Sequence, residues 1–483
     1  MDYKITGYEP EKLFHFFEEI SAIPRGSGNE KGISDYLVKF AKDRGLEVIQ
    51  DDAYNVVIKK AGSRGAEDHA PVMLQGHMDM VCEKRAGVEH DFEKDGLDLI
   101  IRDGRLTANG TTLGGDNGVA VALMLMVLDD DEIEHPPVEC VFTTEEEVGL
   151  NGAKALDKSV LKARTMINMD SEDEGVATVS CAGGLRVQFT KEIQRTTVQG
   201  SLLTLKVEGL LGGHSGQDID KERQNADLLM ARMIQRLLKE TKGQLVSFNG
   251  GTKDNAIPRE CEASLIYESD EEAAKAEELA CELAETYAEE LTPAEPDFSC
   301  EISCETNRTA EAIPQDAAKE FICAMRLAPN GIQKRNIKMD GFVVVSLNLG
   351  VVRTEEDRIV MIFSPRSSVA SLQEDTKERL NTLAETFGFT VSHSSEYPGW
   401  SFKEDSPVRE ICKESYKELF GEDLKIEAIH AGLECGLFLE KYPELEMVSF
   451  GPTLRGVHSP DERLEIATVA KFWAHLNDIL RTL

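Results

Sequence analysis

The first 185 residues alternate between helical and strand-like hydrophobic patterns, and this alternation constrains the fold more than any other feature. Helical apolar spacing is found in LFHFFEEI (13–20), ISDYLVKFAKDRG (33–45) and GVAVALMLMVLDD (118–130). Short β-type runs are LEVIQ (46–50), NVVIKK (55–60), VMLQ (72–75), VECVFT (138–143) and TMINM (165–169). Such alternation predicts an α/β fold whose parallel or mixed sheet is covered by helices on both faces. Functional sites in these sheets collect at the carboxyl ends of the strands.

A different pattern begins near residue 186 and ends near residue 396. It consists of two blocks of strands and helices with a similar order of elements and no clear sequence identity. A duplicated structural unit is therefore one interpretation of this region. After residue 396 the first pattern resumes. We therefore predict a catalytic domain split into residues 1–185 and 397–483, around an inserted α+β domain of residues 186–396.

Polar residues follow several predicted strands at the point where each strand ends. His77 and Asp79 follow VMLQG, and their i, i+2 spacing places both side chains on one face of a strand. The other members of this set are Asp116 among the glycines of GGDNG, Glu145, Glu146 and Glu147 after VECVFT, Asp170 after TMINM, and His458 after EMVSFGP. Each of them alone has a structural explanation, as a turn residue, a helix cap or part of a loop. Together, at successive strand ends, they predict one functional site.

The residue types in this set suit one chemistry. Two imidazoles and three carboxylates are a suitable ligand set for a pair of divalent ions such as zinc, cobalt or manganese. A carboxylate that bridges two ions is typical of two-metal hydrolases. The adjacent Glu146 and Glu147 offer a ligand and, beside it, a base for the proton of an activated water.

Five of these segments, QGHMDMV, GGDNG, TEEEVG, NMDSEDEG and GVHSPDERL, resemble the co-catalytic zinc exopeptidase family that includes carboxypeptidase G, peptidase V and aminoacylases. Further matching text includes ISAIPRGSGNEKGISDYL (20–37), GGHSGQDID (212–220), NAIPRE (255–260) and IHAGLECGLF (429–438), so the resemblance spans nearly the whole chain. It implies a zinc exopeptidase-like α/β domain with an inserted lid and dimerisation domain.

The resemblance also implies roles for individual residues. It assigns metal-ligand roles to five side chains: His77 and Asp170 at one ion, Glu147 and His458 at the other, and Asp116 bridging both. Glu146 would be the general base and later the acid, and Asp79 would orient the imidazole of His77. The family usually has Asp-Glu-Glu where this chain has Glu145-Glu146-Glu147, a departure that leaves the two functional glutamates in register.

The inserted domain contributes three further candidates through the same resemblance, and the segment after residue 396 contributes a fourth. His214, in GLLGGHSGQD, would stabilise the developing oxyanion, although the residues alone suggest a surface histidine in a glycine-rich turn. Asn255 and Arg366 match positions that hold the substrate backbone or its carboxylate, a task that suits an arginine. Gly432 would present backbone donors to the same carboxylate.

The expected reaction is the hydrolysis of short, unblocked peptides with two divalent ions per subunit, zinc first, with cobalt and manganese as alternatives. The resemblance points to dipeptides with a C-terminal histidine, including β-alanyl-histidine. A tripeptide aminopeptidase or an N-acyl amino acid amidohydrolase would share the metal ligands and differ in the lid pocket. A non-catalytic metal-binding protein is a further alternative, which the intact Glu146 disfavours because a structural site needs no base.

Composition narrows the range of partners. The net charge of −35 argues against a nucleic-acid partner. No apolar run approaches the roughly 18–20 residues that span a bilayer, and no apolar signal segment begins the chain, so we expect no membrane partner and a cytoplasmic location.

The ten cysteines lack short paired spacings, which favours reduced thiols over a zinc ribbon. The resemblance further implies a homodimer, because a lid of this type commonly mediates dimerisation in the family.

Overall fold

The computed structural model describes residues 3–338 and 341–483. The chain divides into two compact units. The first unit comprises Met1–Cys181, Trp400–Ala428 and Leu433–Leu483, and the second unit comprises Ala182–Gly399 and Ile429–Gly432. The short segment 429–432 therefore belongs to the second unit, whereas the sequence prediction placed it with the residues that follow 397.

The helices and strands have the following bounds. The α-helices are α1 (Glu11–Ser21), α2 (Lys31–Asp43), α3 (Gly115–Asp129), α4 (Asn151–Ala155), α5 (Ala226–Glu240), α6 (Asp270–Leu291), α7 (Gln315–Leu327), α8 (Ala370–Thr386), α9 (Pro407–Phe420), α10 (Cys435–Lys441) and α11 (Ile466–Thr482). The strands up to the middle of the chain are β1 (Glu47–Gln50), β2 (Val56–Lys60), β3 (Val72–His77), β4 (Leu99–Arg102), β5 (Arg105–Ala108), β6 (Val138–Thr143), β7 (Thr165–Asn168), β8 (Val176–Cys181), β9 (Gly183–Glu192), β10 (Thr196–Glu208), β11 (Gly213–His214) and β12 (Gln244–Gly250). The later strands are β13 (Ala256–Ile257), β14 (Cys261–Tyr267), β15 (Ser299–Ala312), β16 (Gly331–Asn336), β17 (Phe342–Thr354), β18 (Arg358–Ser367), β19 (Thr390–Tyr397), β20 (Lys425–Ile429), β21 (Glu446–Ser449), β22 (Leu454–Arg455) and β23 (Arg463–Glu465).

The first unit is built on an eight-stranded mixed sheet in the order β1-β2-β6-β3-β7-β21-β8-β20. Its four central strands, β6, β3, β7 and β21, run parallel to one another. Strands β3 and β6 are buried at every residue, and since successive side chains point to opposite faces, both faces are covered. This is the α/β arrangement that the alternating pattern predicts.

Helix α3 packs on β3 at a position where the strand has no side chain. A Cβ atom added to Gly76 would lie 2.5 Å from Oδ1 of Asn117 and 2.8 Å from Cβ of Ala120. Glycine therefore allows the first turn of α3 to approach the carboxyl end of β3. A four-stranded antiparallel sheet, β22-β23-β5-β4, completes the unit and joins the loop after β21 to the segment before α3.

The second unit is an α+β unit built on a nine-stranded antiparallel sheet. Eight strands follow the order β15-β10-β14-β12-β17-β18-β9-β19, and β16 pairs with β17. Alternate residues of β10, such as Leu203, Leu205 and Val207, are buried, and they share one hydrophobic core with residues of α5, α6, α7 and α8. The strands of both sequence blocks thus belong to one sheet with helices on the side of this core.

Within the described part of the chain, no helix combines the length and apolarity needed to cross a bilayer.

Candidate active site

Parallel strands bring the polar residues predicted from the sequence to one edge of the sheet in the first unit. His77 is the last residue of β3, Glu146 and Glu147 follow β6, and Asp170 follows β7. His458 lies beyond β21, in the loop between β22 and β23. The carboxyl ends of β3, β6, β7 and β21 meet at this edge because the four strands are parallel.

Three overlapping groups of side chains at this edge could each hold a metal ion. They are His77 with Asp116 and Asp170, His77 with Glu146 and Glu147, and Asp116 with Glu147 and His458, and the ligand atoms within each group lie within 4.8 Å of one another. Ligand atoms bound at about 2.0–2.2 Å to one ion are separated by distances of this order. Nitrogen and oxygen donors of this kind fit zinc and its first-row neighbours.

Asp116 joins the groups. One carboxylate oxygen, Oδ1, lies 3.0 Å from Nε2 of His77, and the other, Oδ2, lies 3.3 Å from Nε2 of His458. Nε2 of His458 is also 3.0 Å from Oε2 of Glu147, whose second oxygen is buried without a hydrogen-bond partner among the described residues. The two imidazoles therefore approach opposite oxygens of the Asp116 carboxylate. The buried second oxygen of Glu147 remains available to a cation.

Asp79 holds two parts of the site at once. Its side chain is fully buried, with Oδ1 3.3 Å from Nδ1 of His77. The same carboxylate accepts hydrogen bonds from the backbone N–H groups of Glu146 (3.1 Å) and Glu147 (3.3 Å) and from Oγ of Ser27 (2.7 Å). It thus contacts the imidazole and also fixes the backbone of the two glutamates, a second task that its strand position did not reveal.

The three glutamates after β6 differ in their surroundings. Glu146 lies with His77 and Glu147 in one of the three groups, and burial raises its pKa well above its ordinary value against the opposing charge of His77. Glu145 lies outside these groups; its Oε2 accepts a hydrogen bond from Nδ2 of Asn151. Its backbone has a left-handed φ of 48°, a strained conformation for a glutamate, as often found beside active sites.

Three buried charged residues support the site and were not among the sequence candidates. Arg25, from the segment IPRGSG, donates to the backbone carbonyls of Met78, Asp79 and Gly114. Glu462, from HSPDER, accepts the backbone N–H groups of four consecutive residues, Leu113, Gly114, Gly115 and Asp116. Glu434, from HAGLECG, accepts hydrogen bonds from Gln75 and Thr143, on β3 and β6. The only sequence signal for them was that each lies inside a segment that matches the family.

His214 in the second unit has one defined tautomer. Its Nδ1 accepts hydrogen bonds from the backbone N–H groups of Gly216 (3.2 Å) and Gln217 (3.0 Å), so in the neutral ring the proton resides on Nε2. Burial and the positive charge of Arg366 lower the pKa of His214 to about 4. At neutral pH the ring is therefore an uncharged hydrogen-bond donor through Nε2, which the glycine-rich sequence around it did not indicate.

The other candidates of the second unit are Arg366, Asn255 and Gly432. The side chain of Arg366 is 7% exposed, and Nε is buried without a hydrogen-bond partner among the described residues. Asn255 is exposed, and its backbone carbonyl accepts the N–H of Ser215, next to His214. Gly432 lies against the ring of Tyr397, whose hydroxyl accepts a hydrogen bond from Nη1 of Arg366 (3.0 Å).

An imidazole–carboxylate cluster at parallel strand ends is the arrangement that metal-dependent hydrolases use. A family model described as Peptidase family M20/M25/M40 matches residues 73–482. The chain is 36% identical over 484 residues to the cytosol non-specific dipeptidase of Escherichia coli K12, covering 99% of both proteins. The structure of aminoacylhistidine dipeptidase from Vibrio alginolyticus is similar with a TM-score of 0.91 and 37% identity, covering 99% of this chain and 97% of that one.

The chain therefore belongs to peptidase family M20/M25/M40 and is a peptide-bond hydrolase. The aminopeptidase PepT from Bacillus cereus, with a TM-score of 0.56 and 17% identity over 98% of both chains, shares the fold alone. The resemblance, the α/β fold class and the enzyme class expected from the sequence are thereby confirmed.

Proposed function

We propose that the protein hydrolyses the peptide bond of unblocked dipeptides, including those with a C-terminal histidine, with two divalent metal ions. The observation that carries this proposal is the position of Asp116, whose two oxygens lie 3.0 Å from His77 and 3.3 Å from His458. A carboxylate between two imidazoles is the ligand arrangement of a two-metal hydrolase. His77 and Asp170 would hold one ion, and Glu147 and His458 the other.

When bound, the ions would activate water and polarise the scissile carbonyl. Glu146 is the residue of this chain that would move the proton. It takes a proton from the attacking water and returns it to the leaving amine. The hydrogen bonds from the backbone of Glu146 and Glu147 to Asp79 hold this base at a fixed position beside the ligands.

The second unit would supply groups that recognise the substrate. The neutral His214 donates through Nε2 and would stabilise negative charge that develops on the carbonyl oxygen. Arg366 has no acidic partner among the described residues, so its guanidinium would bind the free carboxylate of a peptide. Asn255 and Gly432 are proposed to contact the substrate backbone or the same carboxylate. These roles, and that of the inserted unit as a lid and dimerisation element, are predictions.

Dipeptides are the proposed substrates because relatives at 36% and 37% identity over nearly the full length are dipeptidases. The test is a panel of Xaa-His and other dipeptides, tripeptides and N-acyl amino acids, assayed on protein reconstituted with zinc, cobalt or manganese. Preferential cleavage of dipeptides is the expected result. Preference for tripeptides or acyl amino acids would favour the corresponding alternative in the same family, and hydrolysis of none of them would favour a metal-binding protein without activity.

Glu146→Gln tests the proposed base directly. We expect kcat to fall by about 10²–10⁴-fold with metal content unchanged, because the variant keeps the ligands but loses the proton acceptor. Glu145→Gln is the matched control: this neighbour lies outside the metal groups, and the amide oxygen can still accept from Asn151. Full activity of Glu146→Gln protein would contradict the assignment.

Zinc as the native metal, the homodimer and the cytoplasmic location are part of the same proposal. Elemental analysis of protein purified without added metal checks the first, and light scattering coupled to size-exclusion chromatography checks the second. Fractionation of cells that express the protein checks the third.

A further inference from the structure

Four residues of the second unit form a row across four neighbouring strands. Ser346 on β17 is in register with Arg366 on β18, Arg366 with Gly184 on β9, and Gly184 with Tyr397 on β19. Residues in register on neighbouring strands point to the same face of a sheet. Arg366 and Tyr397 therefore project from one face, separated by a strand whose residue at this level is glycine.

The missing side chain of Gly184 allows Arg366 and Tyr397 to meet. A Cβ atom at Gly184 would lie 2.6 Å from the Tyr397 hydroxyl oxygen and 2.8 Å from Cζ. A Cβ atom at Gly432 would lie 2.9 Å from Cε2 of the same ring. The two glycines thus provide the space for the tyrosine ring, and Nη1 of Arg366 donates to its hydroxyl at 3.0 Å.

Both partners of this hydrogen bond keep further N–H or O–H groups that can donate to a ligand. The Tyr397 oxygen accepts from Arg366, so its own proton points elsewhere, and the structure gives that proton no acceptor within residues 3–338 and 341–483. Among the described residues, Nε of Arg366 is buried without a hydrogen-bond partner, and no carboxylate forms an ion pair with this guanidinium. Burying a guanidinium without an acidic partner costs free energy, and an anionic ligand would offset that cost.

We propose that Tyr397 determines, together with Arg366, the requirement for a free α-carboxylate on the substrate. The tyrosine hydroxyl donates its proton to the carboxylate while accepting from Nη1, so the two residues offer convergent donors to one anion. The inference rests on the proposed function, since it names the substrate group that this part of the second unit recognises. It also gives Gly184 and Gly432 a role in making room for the ring.

The test compares a dipeptide with its C-terminal amide, which keeps the peptide bond and lacks the negative charge. Tyr397→Phe removes only the hydroxyl and leaves the ring between the glycines. We expect KM for the dipeptide to rise about tenfold or more while that for the amide changes less than about threefold, with kcat for both nearly constant. If the amide is not cleaved, its inhibition constant provides the same comparison.

Two further variants make the result specific. Tyr287→Phe, which removes another phenol hydroxyl of the second unit, should leave both substrates unaffected. Gly184→Ala should reproduce the selective loss by displacing the hydroxyl, and combining it with Tyr397→Phe should add little. Equal losses for dipeptide and amide, or no loss in Tyr397→Phe, would overturn the proposal.

A binding measurement separates this inference from the proposed function. Calorimetric titration of Glu146→Gln protein with dipeptide and with amide, with and without Tyr397→Phe, requires no turnover. Wild-type protein that cleaves no peptide would refute the proposed function, whereas the difference between acid and amide binding would still decide the role of Tyr397. Absence of dipeptide binding to the Glu146→Gln parent would overturn the inference as well.

Discussion

Replacing Glu462 with alanine removes the acceptor of four backbone hydrogen bonds in the segment that carries Asp116. Oε2 of Glu462 accepts from Leu113 at 2.7 Å and Gly114 at 2.9 Å, and Oε1 accepts from Gly115 at 2.8 Å and Asp116 at 3.2 Å. Glu462 itself lies four residues after His458. One buried side chain thus joins the loop of one metal-ligand candidate to the backbone of another.

The size of the effect follows from the number of bonds. Each buried donor left without an acceptor costs about 1 kcal/mol or more, so four of them predict a loss of about 4 kcal/mol in the free energy of unfolding. The fully buried Arg25 would also lose the negative charge of Glu462, which adds to the loss. Because Asp116 would no longer be held, we also expect metal affinity to fall about 10–100-fold.

The assay uses the two tryptophans of the chain, Trp400 and Trp473, which both lie in the first unit. Their fluorescence during urea denaturation reports the unfolding of that unit, and competition with a chromogenic chelator gives the metal affinity. Asp461→Ala is the control, because the neighbouring Asp461 pairs with Arg85 at the surface and should leave both quantities close to wild type. A Glu462→Ala variant that matches Asp461→Ala in both measurements would show that Glu462 does not hold the Asp116 segment.

Three other predictions concern the proposed reaction and the second unit. His214→Ala should lower kcat about 100-fold with metal content unchanged, whereas the exposed His393→Ala should not; equal activities would remove His214 from the oxyanion role. Chelation should lower the thermal midpoint of unfolding, and zinc at a thousandfold excess over its Kd should raise the free energy of unfolding by about 4 kcal/mol. A midpoint that changes with neither treatment would contradict a metal site. Burial together with Arg366 lowers the pKa of His214 to about 4 and that of His430 to about 3, below the ordinary 6.5. As pH falls below 6.5, these histidines take up protons in the unfolded chain but not in the folded one, so the second unit should lose stability towards acid. Calorimetry should show a shallower loss of stability with falling pH in His430→Gln.

Local patterns predicted the main elements of the first unit closely. The helical spacing of 33–45 corresponds to α2, and the apolar run VECVFT is β6. Helix spacing and strand alternation are properties of adjacent residues, so they can be read without knowledge of the fold. The first turn of α3 was less predictable, because the backbone of Asp116 and Asn117 departs from helical angles under contacts from other parts of the chain.

The candidate site was predictable in its residue types and not in its supports. His77 and His458 were recognisable because each follows a strand pattern and carries a metal-binding group, and Asp116 because it stands among glycines just before a helical pattern. Arg25 and Glu462 act through backbone groups of other segments, and the atoms they contact are peptide groups that every residue has. Their partners lie tens to hundreds of residues away, as with Glu462 and Gly114, separated by 348 positions. No local pattern encodes such a pairing.

The available chemistry could be read from the order of residues along the chain: the strands, the imidazoles and carboxylates at their ends, and the resemblance to a peptidase family. Which of these groups meet depends on the tertiary structure. Strand order places His77 beside Asp116, and strand register places Arg366 level with Gly184 and Tyr397. Hydrophobic periodicity is a property of neighbouring residues, whereas hydrogen bonds and charge contacts depend on distances that exist only once distant strands have paired.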